Sequence, residues 1–267
     1  MTRFFNAETA QQLVDEGWQA DLTVANNVLA HVPDPHAFVA GFTTLLHPDG
    51  AATFEFPHLL ELIRHNQFDT IYHEHYSYFS LIAAQRLFAM HGLRVFDVEK
   101  LGTHGGSLRL WVCHHASTRF ATCDSVPALL NEERESGLEL VATYAAFASQ
   151  ADRCRTSLVN LLNRLHAEGK SVAAYGAAAK GNTLLNYCGI GKEKISFVAD
   201  LNPLKQGRYL PGSHIPIVSP EEIGQRKPDY LLILPWNLTD EIRTQMSSIH
   251  DWGGRFIRPV PEAEELV

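Results

Sequence analysis

Cysteine is scarce in this 267-residue sequence, and the four cysteines present are scattered. They stand at Cys113, Cys123, Cys154 and Cys188, without a Cys-x-x-Cys spacing. This pattern excludes a zinc ribbon and the disulfide framework of a small secreted domain. We therefore expect a reducing, cytoplasmic location.

Long apolar runs and an excess of basic residues are also lacking. No stretch approaches the about 18 apolar residues that span a bilayer, and the start, MTRFFNAETAQQL, has no apolar signal-peptide core. Lys and Arg number 22 against 30 Asp and Glu, which gives a formal net charge of -8. A chain with this charge has no general attraction for nucleic acid or for an anionic membrane. We expect a soluble protein that binds neither, and the sequence predicts no particular oligomeric state.

What is present is an alternation of short apolar runs and helical patterns, which predicts an α/β fold. The first part predicts a helix over 7–16 and an apolar strand that ends at Asn26 and Asn27. Further elements predicted there are the helix HAFVAGFTTLL stopped by HPDG, the strand AATFEFP, the helix SLIAAQRLFAMHG, and a hairpin of LRVFDVEKL and GGSLRLWVCH.

A long helical pattern follows from about Ala116, and a second strand-and-helix pattern follows Gly169. The later strands are predicted at ISFVAD, DYLLILP and RFIRP, and PEAEELV is predicted to be a solvated tail. We therefore predict an α/β region over 1–115, a helical connector over 116–168 and a second open α/β domain over 169–267.

The densest group of reactive side chains lies in the run IYHEHYSYF. Histidine titrates near neutral pH, so His75 is a candidate base, and Tyr72 and Glu74 are candidates to hold an oxyanion or to orient the imidazole. Two alternatives stay open, namely polar packing at a domain junction and a metal site of His73, Glu74 and His75, although HExxH spacing and a companion cysteine are absent. In an extended segment Tyr72 and Glu74 would point away from His75, whereas a loop would relax this restriction.

His31 follows the strand that ends at Asn26 and Asn27. In an open α/β sheet, ligands bind beyond the carboxyl ends of the strands, so these three residues lie in a natural site position. A histidine at a helix end, without a function, is the alternative interpretation.

The run GAAAKGNT, starting at Gly176, follows a predicted strand. Its small residues would let backbone amides at a helix start approach a phosphate, and Lys180 would add positive charge. It is neither a Walker motif, because Asn182 stands where lysine is needed, nor a GxGxxG motif. Asp200 ends the next strand, where dinucleotide folds place a ribose-binding acid. A nucleotide or nucleotide-sugar site, an NAD site, and close packing of a helix on the sheet all stay open.

Together, several long segments of the chain resemble the S-adenosylmethionine-dependent sugar C-methyltransferases that act on dTDP-linked keto sugars. These segments are ANNVLAHVPD, TFEFPHLLELIRHNQFDTIYHEHYSYFS, GLRVFDVEKLGTHGGSLRLWVCH, AAYGAAAKGNTLLNYCGI and ADLNPLKQGRYLPGSHIPI. The resemblance implies that 1–115 is the rear part of a class I methyltransferase sheet. It also implies that 169–267 is a Rossmann-like domain that helps to hold the nucleotide sugar.

The resemblance further implies roles for individual residues. His75 would be the base, with Tyr72, Glu74 and His31 positioning the sugar and stabilising the enediolate. S-adenosylmethionine would contact Asn26, Asn27 and Ala30, the nucleotide sugar would contact Gly176, Lys180 and Asn182, and no metal would take part.

The family also carries a cysteine-liganded zinc domain and a glycine-rich cofactor loop, and neither has a match in the printed sequence. We therefore expect this chain to be an incomplete enzyme. The alternatives are a nucleotide-sugar-binding module without catalysis and an NAD-dependent oxidoreductase.

Overall fold

A computed structural model describes residues 3–266 and shows an α/β fold, which confirms the predicted class. The chain divides into two compact units. The first comprises the residues up to Arg64 together with His73–Tyr144, and the second comprises His65–Tyr72 together with the residues from Ala145 on. Within residues 3–266, no helix is long and apolar enough to cross a membrane.

Side chains cap the starts of helices in the first unit. Asn6, Asp34 and Ser80 each accept a hydrogen bond from a backbone N–H in the first turn of the following helix. Its helices are α1 Ala7–Asp15, α2 Pro35–Leu45, α3 Leu59–Arg64, α4 Leu81–Met90 and α5 Ser125–Glu135. Its strands are β1 Ala20–Asn26, β2 Leu46–Pro57, β3 Leu93–Leu101 and β4 Ser107–His114.

The sheet of the first unit has the order β1-β2-β4-β3. β1 and β2 are parallel, so their carboxyl ends lie at the same edge of the sheet, and β4 runs antiparallel between β2 and β3. The segment 47–50, predicted only as the stop of α2, lies inside β2 as a bulge, because Ala20 pairs with Leu46 and Leu22 pairs with Ala51.

One face of this sheet carries the core of the first unit. Phe54 and Phe56 of β2 are fully buried there, and the ring of Phe54 lies 4.7 Å from the rings of both Phe42 and Phe88. Burial of each such side chain contributes on the order of 2 kcal/mol. These contacts fix α2 and α4 against β2, and therefore fix the segments that flank these helices.

The second unit contains a six-stranded sheet with the order β10-β9-β8-β5-β6-β7. Its strands are β5 Val172–Tyr175, β6 Val198–Ala199, β7 Ile217–Val218, β8 Tyr230–Ile233, β9 Arg255–Arg258 and β10 Glu264–Leu266. Its helices are α7 Ala179–Cys188, α8 Glu221–Arg226, α9 Thr239–Gln245 and most of α6, which spans Val141–Ala167.

The strands of the second sheet are parallel except β10, which pairs antiparallel with β9. The predicted solvated tail is therefore wrong for Glu264–Leu266, because these residues extend the sheet. From β5 the chain builds β6 and β7 on one side and then returns to β8 on the other side. The carboxyl ends of β5 and β8 thus form a topological switch point, the usual ligand position in such sheets.

The three predicted regions, 1–115, 116–168 and 169–267, remain a prediction. Helices α5 and α6 occupy the segment predicted to be a helical connector. The boundary between the compact units falls in the first turn of α6, after Tyr144.

Candidate active site

The carboxyl end of β1 leads directly into the first candidate residues. Asn26 is the last residue of β1, and Asn27 adopts the left-handed conformation at φ 53°. The Asn27 N–H donates to the carbonyl of Glu55 at 2.8 Å. This bond ties the turn after β1 to the end of β2, so that the short helical turn Leu29–His31 follows with Ala30 buried.

Residues 73–79 form a turn and an irregular loop. The alternation expected of an extended strand therefore does not apply to His73, Glu74 and His75. The N–H groups of Tyr76 and Ser77 both donate to the carbonyl of Ala30, at 2.9 and 3.2 Å. The loop is thus anchored on the turn that carries His31.

His31 contacts this loop through its side chain. Its Nδ1 lies 2.9 Å from the backbone carbonyl oxygen of Glu74. A carbonyl only accepts, so Nδ1 carries the proton and donates it, which leaves Nε2 as the basic nitrogen of a neutral His31. The bond therefore fixes both the orientation and the tautomer of the ring.

The imidazole of His75 lies beside that of His31, with ring centroids 4.8 Å apart and planes inclined by 53°. Tyr78 presents its ring to His75 edge-on, with centroids 6.0 Å apart. Glu74 is exposed and His75 half-buried. The structure thus brings His31, Glu74 and His75 together, and the sequence had placed all three in the site.

Tyr72 belongs to the second unit, because the boundary between the units falls between Tyr72 and His73. It is half-buried at the end of the segment His65–Tyr72. Its predicted catalytic role remains a prediction.

Sequence reasoning missed Glu55, which is buried at the carboxyl end of β2. It pairs with Asn26 across the sheet, receives a hydrogen bond from Arg109 at 2.8 Å, and lies 3.4 Å from the Thr103 hydroxyl. A carboxylate is tolerated there because a guanidinium compensates its charge. The signal in the sequence was a lone acid within the apolar strand TFEFP.

In the second unit, the glycines of the predicted phosphate loop are required by packing. Gly176 has φ 88°, and a Cβ at that position would lie 2.5 Å from the ring of Pro235. A Cβ on Gly181 would lie 2.6 Å from Leu234. These contacts support the close-packing interpretation that the sequence left open.

Asp200 is committed to the same loop. Its Oδ2 accepts from the Ala177 N–H at 2.7 Å and from the Lys205 ammonium at 3.3 Å. The carboxylate therefore holds the loop after β5. This role argues against Asp200 as the ribose-binding acid of an NAD site.

Lys180 lies at the switch point of the second sheet. Its ammonium stands over the Trp236 ring, 4.7 Å from the centroid, and hydrogen-bonds to the side-chain oxygen of Asn237. Burial lowers the pKa of Lys180. The side-chain oxygen of Asn182 is buried and has no hydrogen-bond partner within the described chain.

Asp69 joins this group, and sequence reasoning missed it. It is 0% exposed, and its Oδ2 accepts from the Trp236 indole at 2.7 Å. Its Oδ1 is buried and lacks a hydrogen-bond partner among residues 3–266. Burial raises the pKa of Asp69 from 3.8 to about 6, and the Trp236 hydrogen bond and the Lys180 charge oppose that rise.

The arrangement contains no evident metal centre. Among residues 3–266, no group of three or more His, Cys, Asp or Glu side chains is placed to hold a metal ion. What the first unit offers is a pair of imidazoles at a strand end, which suits proton transfer. The second unit offers the partly buried ammonium of Lys180 near Asp69, whose Oδ1 has no hydrogen-bond donor among the residues that the structure describes.

The sequence matches two protein-family models. Residues 102–261 match the C-methyltransferase C-terminal domain, and residues 2–98 match a methyltransferase domain. The first match covers more than half of the chain, so the chain belongs to the family of proteins with a C-methyltransferase C-terminal domain. The resemblance to C-methyltransferases inferred from the sequence is confirmed.

A relative within this class is the C-methyltransferase NovU of Streptomyces niveus, 43% identical over 258 residues that make up 97% of this chain. The chain spans 61% of the length of that relative.

Similarity to solved structures is low. The magnesium protoporphyrin IX methyltransferase of Synechocystis is 14% identical with a TM-score of 0.30, over 37% of this chain and 46% of that one. An O-methyltransferase family protein of Burkholderia thailandensis is 13% identical with a TM-score of 0.31, over 43% of this chain and 35% of that one. Scores this low carry no argument about the fold or the site.

Proposed function

We propose that this chain supplies the proton-abstracting and substrate-holding parts of an S-adenosylmethionine-dependent C-methyltransferase. Its substrate is a nucleotide-linked deoxy keto sugar of the dTDP type, methylated on the carbon next to the ketone. The observation that carries the proposal is the contact between His31 and His75. His31 follows the carboxyl end of β1, and the loop that carries His75 is anchored on the turn of His31.

His75 acts as the base in this proposal. A proton on carbon next to a ketone is only weakly acidic, so its removal needs a placed base and donors aimed at the developing oxygen charge. His75 takes the proton, the electron pair of the C–H bond moves into the enediolate, and His31, Tyr72 and Glu74 position the sugar and stabilise that oxygen. Fixing the His31 ring through Glu74 supports this role, because orientation set before reaction lowers the barrier.

S-adenosylmethionine, when bound, would supply an electrophilic methyl group on a sulfonium, with a neutral thioether as the leaving group. Asn26, Asn27 and Ala30 are the proposed contacts. They fit such a ligand in part: Asn26 is exposed at a strand end, whereas the Ala30 carbonyl already accepts from Tyr76 and Ser77. Ala30 would therefore contribute its buried methyl surface rather than a hydrogen bond.

Gly176, Lys180 and Asn182 are the proposed contacts for the nucleotide sugar. The partly buried Lys180 suits an anionic group, and the unpartnered acceptor of Asn182 suits a hydroxyl donor. Gly176 contributes by letting the chain turn tightly against Pro235, and its backbone alone would approach the ligand.

Calorimetric titration of the purified chain tests this proposal against its rivals. We expect saturable binding of a dTDP-linked sugar and loss of this binding in Lys180→Met. The control is Lys192→Met, because Lys192 is exposed and is not one of the proposed site residues. Saturable binding of NAD, with no response to the dTDP-sugar, would contradict the proposal and favour an oxidoreductase.

A further inference from the structure

A buried histidine–carboxylate pair lies apart from the candidate active site in the first unit. Nε2 of His58 lies 2.8 Å from Oε1 of Glu133, and the two side chains are 1% and 0% exposed. Burying a carboxylate is costly unless several hydrogen bonds compensate the lost hydration. The surroundings of Glu133 supply these bonds.

Glu133 belongs to α5 but accepts hydrogen bonds from the start of α4. The Leu81 N–H donates to Oε1 at 2.6 Å and the Ile82 N–H donates to Oε2 at 2.8 Å. The first N–H groups of a helix have no partner inside it, and a carboxylate is favoured there by charge. Ser80 caps the next amide, that of Ala83, at 3.1 Å. Glu133 therefore fixes the position at which α4 begins.

His58 holds the chain immediately before α4. Its backbone pairs with Phe79 in an isolated parallel bridge, and the Leu59 N–H donates to the Phe79 carbonyl at 2.9 Å. The His58 N–H donates to the Gly106 carbonyl at 3.0 Å. The His58–Glu133 pair thus joins the end of β2, the hairpin turn and the residues 79–82 in one hydrogen-bond network.

This hydrogen-bond network is the second anchor of the loop that carries Glu74 and His75. The first anchor is the carbonyl of Ala30, which accepts from Tyr76 and Ser77. Only Tyr78 separates Ser77 from Phe79, and His75 immediately precedes Tyr76, so the position at which α4 begins limits where the His75 imidazole can stand.

Stability alone does not account for the pair. Nδ1 of His58 is buried and has no hydrogen-bond partner in the part of the chain that the structure describes. An apolar residue at position 58 would avoid that cost, while Glu133 would keep its bonds to the first N–H groups of α4.

We propose that Glu133, acting through His58 and the first turn of α4, is a positioning residue for the loop 73–79. Its consequence for catalysis rests on the proposed function, because only then does the placement of His75 beside His31 matter for proton abstraction.

The test compares variants of the whole chain by NMR. Glu133→Ala removes the acceptor, and Glu133→Asp keeps the charge but withdraws the carboxylate by one methylene. Leu129→Ala is the matched control, because Leu129 lies on the same helix, is buried in the core and lies outside this hydrogen-bond network. The readouts are amide hydrogen exchange at Tyr76 and Ser77 and the nitrogen chemical shift of His31 Nδ1, which reports its bond to Glu74.

In both Glu133 variants we expect exchange at Tyr76 and Ser77 to accelerate by about tenfold or more and the His31 signal to move, with at most about twofold faster exchange in Leu129→Ala. If Glu133→Ala does not fold, Glu133→Asp decides. The same exchange rates and His31 signal in Glu133→Asp and in the control would overturn the proposal.

A functional readout separates this proposal from the one on which it rests. The unmodified chain is incubated with a dTDP-linked keto sugar in deuterated water, and incorporation of deuterium next to the ketone is followed. In Glu133→Asp the maximal exchange rate should fall with little change in the sugar concentration for half-saturation. If the unmodified chain exchanges no proton, the proposed function fails, while the NMR comparison still decides the role of Glu133.

Discussion

Replacing Asp69 by asparagine is expected to remove a pH dependence from the stability of the second unit. Asp69 is fully buried, and its pKa rises from 3.8 to about 6 mainly because burial penalises the charged carboxylate. The native state therefore binds the proton more tightly than the unfolded state does. Linkage makes the stability fall as the pH rises from about 4 to about 6 and level off above that range.

The magnitude follows from the two pKa values. A rise from 3.8 to about 6 corresponds to a change of about 3 kcal/mol in the free energy of unfolding over the whole titration, of which about 2 kcal/mol falls between pH 4 and pH 7. Asparagine does not titrate, and its amide oxygen still accepts from the Trp236 indole. The stability of Asp69→Asn relative to the unmodified chain should therefore grow by about 2 kcal/mol between pH 4 and pH 7.

Urea unfolding followed by tryptophan fluorescence at several pH values measures this difference. Asp229→Asn serves as a control of opposite sign, because hydrogen bonds from Ser171 lower the pKa of Asp229. That variant should lose stability at neutral pH and approach the unmodified chain in acid. If the stability profiles of Asp69→Asn and the unmodified chain stay parallel from pH 4 to pH 7, the reasoning about Asp69 is refuted.

Two further predictions concern packing and association. Gly181→Ala should destabilise the protein by about 1–3 kcal/mol, because the added Cβ would lie 2.6 Å from Leu234. In the control Gly224→Ala the added Cβ meets nothing within 4 Å, so this variant should be neutral or stabilising. Thermal melts compare the two variants, and equal melting temperatures would contradict the packing argument. Leu22 and Val24 are 56% and 61% exposed on the edge strand β1, so lysine at both positions should reduce self-association measured by light scattering. Unchanged scattering would show that this edge does not drive association.

Part of the candidate site could be predicted from the sequence because it depends on local features. His31 follows a strand end and His75 lies in a run of polar and aromatic residues, and both patterns are visible without a structure. Their contact is long-range and depends on the Ala30 carbonyl, which accepts from the N–H groups of Tyr76 and Ser77. The tautomer of His31 could not be predicted, because it depends on one backbone carbonyl of a loop without periodicity.

The group around Lys180 shows why the rest was missed. Asp69 reaches Trp236 because the segment His65–Tyr72 packs with the second unit, although the flanking residues belong to the first. Neither hydrophobic period nor turn chemistry indicates such an excursion. The edge strand β10 was missed for a related reason, since pairings such as Arg258 with Glu264 at 2.5 Å become visible only once β9 and β10 are adjacent.

Deuterium exchange next to the ketone of a dTDP-linked keto sugar tests most directly whether His75 is the base, because exchange needs the base and the sugar but no methyl donor. The unmodified chain should catalyse exchange, His75→Gln should reduce the rate by about a hundredfold or more, and His31→Gln should reduce it less. His250→Gln, at a histidine of the second unit whose Nδ1 lies 3.2 Å from the Gly254 carbonyl oxygen, should leave the rate unchanged. Undiminished exchange in His75→Gln would contradict the account.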